Sequence, residues 1–130
     1  VLFEKALFNG EAHLTAAKFN GNAGFAGTAF ASDARFDKAD IKGYADFEDA
    51  CFSAKASFRT ITVHDLTDFL GARIDGDADF RAANFIGELD FGADCRAAAR
   101  FQDARFKART DFRGAHFHGE TSFKGAVFGE

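Results

Sequence analysis

Residues 45–58 read Ala45-Asp46-Phe47-Glu48-Asp49-Ala50-Cys51-Phe52-Ser53-Ala54-Lys55-Ala56-Ser57-Phe58. Phe47, Phe52 and Phe58 stand five and then six residues apart, and each has an alanine two places before it. In an extended chain, residues two apart point the same way. Ala45 and Phe47 therefore share an inner face, and Asp46 and Glu48 turn outward. A helix does not suit this spacing, because gaps of five and six set successive phenylalanines on different helix faces.

The same beat runs through the whole chain. The bulky apolar centres are Phe3, Phe8, Leu14, Phe19, Phe25, Phe30, Phe36, Ile41, Phe47, Phe52, Phe58 and Val63, then Phe69, Ile74, Phe80, Phe85, Phe91, Cys95, Phe101, Phe106, Phe112, Phe117, Phe123 and Phe128. All 19 phenylalanines fall on these centres. The gaps alternate five and six, with one break of four between Phe91 and Cys95. Two places before a centre stands Ala or Thr, apart from Val1, Ile61 and Leu89. Two places after it stand ten of the 13 glycines, among them Gly10, Gly43, Gly76 and Gly125. The glycine is expected where the chain turns a corner, since it tolerates positive φ. Short strands joined by evenly spaced corners wind into a coil, and each coil needs its neighbours to bury its inner face. Disorder does not fit a chain this apolar and this regular, with hydrophobic residues at 47%.

Units such as Ala45-Asp46-Phe47, Ala78-Asp79-Phe80 and Ala115-His116-Phe117-His118-Gly119 resemble the pentapeptide-repeat family, and the likeness covers the whole chain. The resemblance implies an all-β fold, a right-handed quadrilateral β-helix of about six coils. The extra residue on alternate sides lengthens each coil to 22 residues and implies a slightly rectangular section. Residues 1–130 read as a single solenoid domain. Because the pattern is already running at Val1, the piece reads as a module or fragment of a longer chain. Uncapped end coils would invite end-to-end dimerisation.

With four sides per coil, every fourth centre stacks, and the outward residues fall into columns. On side one the residues before each centre are Leu2, Gly24, Asp46, Asp68, Asp90 and Asp111. Glu48 lies beside this acidic column. On the opposite side three stand Arg35, Arg59, Arg81, Arg100 and Lys124, against Asp37 and Asp79, so the rod is expected to be two-faced despite a net charge of −4. Tyr44, Leu66, Leu70 and Ile86 are apolar residues at outward positions. The candidate interaction surface is Asp46, Asp68, Asp90, Asp111, Tyr44, Leu66 and Leu70. The plainer reading is that Asp simply suits the place before Phe and that isolated apolar residues are common on surfaces.

His116 and His118 flank Phe117 and project together, with Asp94 on the coil below. Such a set binds a transition metal weakly, but no fourth ligand is evident, and no metal or cofactor is assigned. The core of Phe and Ala leaves no pocket for catalysis, and no phosphate loop or nucleophile elbow occurs, so the chain reads as non-catalytic. Cys51 points outward and Cys95 inward, two coils apart. They cannot pair, and free thiols favour a reducing, cytoplasmic setting. No segment approaches 18 apolar residues, so none spans a membrane as a helix, and no leader resembles a signal peptide. The leading expectation is a scaffold or protein-interaction rod with an unidentified protein partner and no direct nucleic-acid binding. The alternative comes from the resemblance. Some family members mimic duplex DNA and inhibit a type II topoisomerase, giving quinolone resistance, and the Asp column is compatible with that. At the four-residue gap a tighter corner and a less filled core beside Cys95 are expected.

Overall fold

The computed structural model describes residues 2–129, and its strands follow the repeat. Every strand is two residues long, from Leu7–Phe8 to Val127–Phe128, because a corner intervenes every five or six residues. Each strand pairs in parallel with its counterpart one coil on. Ala45–Asp46 lies against Thr67–Asp68, Cys51–Phe52 against Arg73–Ile74, Ala56–Ser57 against Ala78–Asp79, and Thr62–Val63 against Asn84–Phe85. These four strands lie on sides one to four of one coil. Three parallel sheets have six strands and the side-one sheet has five, which the bridge from Leu2 to Gly24 extends by one more coil. The result is a four-sided β-solenoid of about six coils. Val1, an inward exception in the sequence pattern, lies outside the described residues.

Every phenylalanine of the middle coils is sealed: Phe58 and Phe80 are 1% and 0% exposed. Where phenylalanines follow one another along a side the rings stack coil on coil, except at Phe91, as in Phe30–Phe52 (4.7 Å, 3°) and Phe58–Phe80 (4.9 Å, 4°). Across the interior the ladders of sides one and three meet edge to face, as in Phe47–Phe58 (5.4 Å, 83°) and Phe69–Phe80 (5.6 Å, 88°). Both geometries suit the ring quadrupole. In the last described coil Val127 and Phe128 are exposed.

The corners correct the expected role of glycine. Every described residue with positive φ stands two places after a centre of side one or side three, where five residues separate the centres. There the amide three places after the centre donates to the centre's carbonyl, as Ala50 N does to Phe47 O at 3.1 Å. Only Gly27, Gly71, Gly114 and Gly125 fill such corners with glycine, while Lys5, Ala16, Lys38, Asp49, Thr60, Ala82 and Asp103 hold φ of 57–62°. At the six-residue corners of Gly43, Gly76, Gly87 and Gly119 the reason for glycine is closeness to the coil below, whereas Gly10 and Gly21 in the first coil have nothing near. A Cβ on Gly76 would lie 2.5 Å from the Ala54 carbonyl carbon, and one on Gly87 would lie 2.4 Å from that of Asp65.

At the four-residue gap the left-handed corner residue is dropped and no turn bond of this type closes onto Phe91. Pairing absorbs the deletion: Asp94 faces Arg73 and Asp111 faces Asp90, each 21 residues apart. The small Cys95 does leave room, but Phe91 takes it up. Its ring tilts 54° from Phe69 and lies parallel to Phe117 (6.0 Å, 6°). The local packing is rearranged.

Candidate functional site

On side one, Asp46, Asp68, Asp90 and Asp111 stand in one file, each the direct pairing partner of the next. Three of them also finish the local turn. Asp46 Oδ1 accepts from Glu48 N (3.0 Å), Asp68 Oδ1 from Leu70 N (2.8 Å) and Asp111 Oδ1 from Arg113 N (2.9 Å). Asp79 does the same for Arg81 N on side three (3.1 Å). This Asx-type bond is a backbone reason for Asp before the centre, independent of any partner.

The file is electrically uneven. Arg113 Nη2 lies 2.7 Å from Asp111 Oδ2, and Arg109 Nη2 lies 3.4 Å from it. The Arg113 guanidinium and amide hold the Asp111 carboxyl down at about 2. Among the described residues, no cation pairs with Asp46, Glu48, Asp68 or Asp90. Carboxylate oxygens of Asp46, Glu48 and Asp68 lie within 4.8 Å of one another. The charge of Asp68, with burial and the other carboxylates, pushes Glu48 up. Partial burial and the charges of Asp90 and Asp46 outweigh the Leu70 amide and push Asp68 up. Tyr44, beside Asp68, is driven to about 12 by burial and by the charges of Asp46, Asp68 and Glu48.

A model of pentapeptide repeats (9 copies) matches residues 3–50 and 92–127, well over half of the chain. The chain belongs to the pentapeptide-repeat family. No curated protein and no solved structure matches it. Residues 51–91 of this pentapeptide-repeat protein fall outside the match, yet they coil like the rest. Asp68, Asp90, Leu66 and Leu70 lie in that stretch.

The pentapeptide-repeat rod gathers most of the predicted surface residues and separates one. Asp46, Asp68 and Asp90 form one stretch with Tyr44, Leu66 and Leu70, while Asp111 is set apart by its two arginines. Leu70 is exposed at 44% and leans over Gly92, where a Cβ would meet its Cδ1 at 2.7 Å. Tyr44, Leu66 and Ile86 are half-buried instead of exposed, because coils spaced about 4.8 Å apart cover part of each outward side chain.

Side three is less basic than its arginines suggest. Arg81 clamps Asp79 with two bonds of 2.9 and 2.7 Å, Arg59 reaches the same carboxylate at 3.9 Å, and Arg100 reaches Asp77 at 3.3 Å. Ser57 donates to Asp37. Burial opposes ionisation of Asp79, but the Arg81 bonds hold its carboxyl low. Sequence reasoning missed this pairing. Its signal was an Asp and an Arg either side of one Phe, as in Asp79-Phe80-Arg81. Both cysteines are free, and burial first, then the Asp94 charge, pushes the Cys95 thiol up to about 12.

Proposed function

We propose that this pentapeptide-repeat protein is a non-catalytic scaffold whose docking surface is side one of the middle coils. The observation that carries this reading is the unanswered charge of Asp46, Glu48, Asp68 and Asp90 beside Leu70 and Tyr44. Elsewhere on the rod a carboxylate commonly meets a cation: Asp40 has Lys42, Asp75 has Arg73, and Asp94 has Arg96. Like charges held together cost free energy that a cationic partner relieves. The partner this surface suits is a protein bearing lysine or arginine next to an apolar side chain. The free thiols fit a reducing compartment such as the cytoplasm.

The DNA-mimic reading draws on the same in-register Asp file. It suffers from density. Duplex DNA carries a charge per about 1.7 Å, against one Asp per coil of about 4.8 Å, and Arg109 and Arg113 neutralise the end of the file.

The test is fluorescence anisotropy with a labelled Lys/Arg-rich peptide containing leucine, using the native rod and an Asp46→Asn/Asp68→Asn/Asp90→Asn variant. Salt-sensitive binding that the variant loses is expected. Absence of binding, or equal binding by both, sinks the reading. A supercoiling assay with a type II topoisomerase runs in parallel. No inhibition at micromolar rod is expected, and inhibition lost in the Asp→Asn variant would promote the mimic.

A further inference from the structure

We propose that His116 and His118, positioned by Asp94, form a binding site for a borderline transition-metal dication such as Ni2+ or Zn2+. The two imidazoles flank the inward Phe117 on side two and leave the strand on the same outer face. Their ring centroids are 6.4 Å apart with planes 22° from parallel. A metal bonded to an imidazole nitrogen at about 2.1 Å sits about 3 Å from the ring centre, so two ligating rings stand about 5–6 Å apart. Both residues are exposed, and because the ring planes are near-parallel each imidazole must turn about its side-chain bonds to bring the two in-plane lone pairs onto one metal.

Asp94 supplies the second half of the argument. It lies directly below His116 in the sheet, and its Oδ1 is 2.8 Å from His118 Nε2. Arg96 Nε donates to the other oxygen, Oδ2, at 3.2 Å, and an aspartate carboxylate held between two such groups only accepts. His118 Nε2 is therefore the donor in this pair, and in the neutral imidazole the lone pair lies on Nδ1. A carboxylate that fixes the tautomer of a ligating histidine is a recurrent support of metal sites. The ring of His116 makes no hydrogen bond among the described residues.

The other two histidines lack this arrangement. His13 and His64 each face a carboxylate, Glu11 at 2.9 Å and Asp40 at 3.0 Å, without a second imidazole. Imidazole selects the borderline metals over Ca2+ and Mg2+, which take oxygen. The opposing charges are Arg96, 3.2 Å from Asp94 Oδ2, and Arg73, which faces Asp94 from the coil below; both side chains are half-exposed. Two protein nitrogens leave coordination positions open to water or to a partner's side chain. This site is independent of side one.

The experiment is calorimetric titration of the chain with Ni2+ and with Zn2+ in a non-chelating buffer, alongside histidine-resolved NMR. The expected result is one saturable equivalent that shifts the His116 and His118 ring signals and spares His13 and His64. His116→Ala or His118→Ala should abolish it, and Asp94→Asn should weaken it about tenfold. Cys51→Ser and Asp68→Asn should leave it unchanged, and excess Mg2+ should not compete. The substituted side chains are outward, and far-UV circular dichroism verifies that each variant remains coiled. Failure of the native chain to bind saturably overturns the proposal, as does binding that persists in the double histidine variant.

Discussion

Asp68 and Asp111 occupy the same place in the repeat, two coils apart on one face, and their surroundings differ at two positions: Leu66 stands two places before Asp68 where Arg109 stands before Asp111. The position two places on is Leu70 in one coil and Arg113 in the other. Around Asp111 the guanidinium completes a paired surface. Around Asp68 the leucine leaves Asp46, Glu48 and Asp90 to repel one another. The repeat dictates the backbone at both places equally, through the Asx-type bond, while the outward side chain decides whether the carboxylate is satisfied. A solenoid separates these tasks because inward residues set the fold and outward residues are left to specify the surface.

The coils beneath the two aspartates also differ, and there the largest effect is expected. Phe58 lies sealed in mid-rod, whereas Phe123, in the same ladder, is half-buried in the last described coil. Phe58→Ala should cost about 3–5 kcal/mol in urea melts, and Phe123→Ala clearly less. Equal midpoints for the two variants would break the distinction between middle and end.

The corners give a smaller effect of opposite sign. Thr60 is β-branched and holds φ of 58°, a conformation that costs an L residue about 1–2 kcal/mol. Thr60→Gly should raise stability by about 1 kcal/mol or less, since glycine also adds entropy to the unfolded chain. Gly76→Ala, at the other kind of corner, should lower it, because the added Cβ meets the backbone of Ala54. Denaturant melts of the pair test whether the two corner types are physically distinct.

The fold was legible because every Phe marks an inward position and the spacing between them carries the coil length. The corners were read less well. Glycine pointed to positive φ at Gly10, Gly43 and Gly76, but the five-residue spacing, not the residue, sets the left-handed turn, and Lys38 and Thr60 adopt it without glycine. The acidic file was legible from the same register. Its division was not, because it depends on Arg109 at an inserted corner and Arg113 across Phe112, whose reach follows from side-chain geometry.

Exchanging the deciding residues gives a subtler test. Leu70→Arg should give Asp68 the pairing that Arg113 gives Asp111, and Arg113→Leu should leave Asp111 only the longer contact with Arg109, each with little change of stability at neutral pH because exposed pairs contribute little. The pH dependence carries more information. Asp111 is depressed, so its contribution is present above the ordinary carboxylate range and is lost as pH falls toward about 2. Glu48 and Asp68 are raised, so their ionisation costs stability that returns as pH falls through their elevated values. Leu70→Arg should erase that acid-side gain, which pH-dependent melts would detect.

Carboxyl-resolved NMR titration of the native rod tests the central claim most directly, since it reads Glu48, Asp68 and Asp111 in one sample. Glu48 and Asp68 should titrate above the ordinary carboxylate values and Asp111 at about 2. Asp68 titrating as low as Asp111 would mean that a cation answers the middle of the file, and would contradict the docking surface built on it.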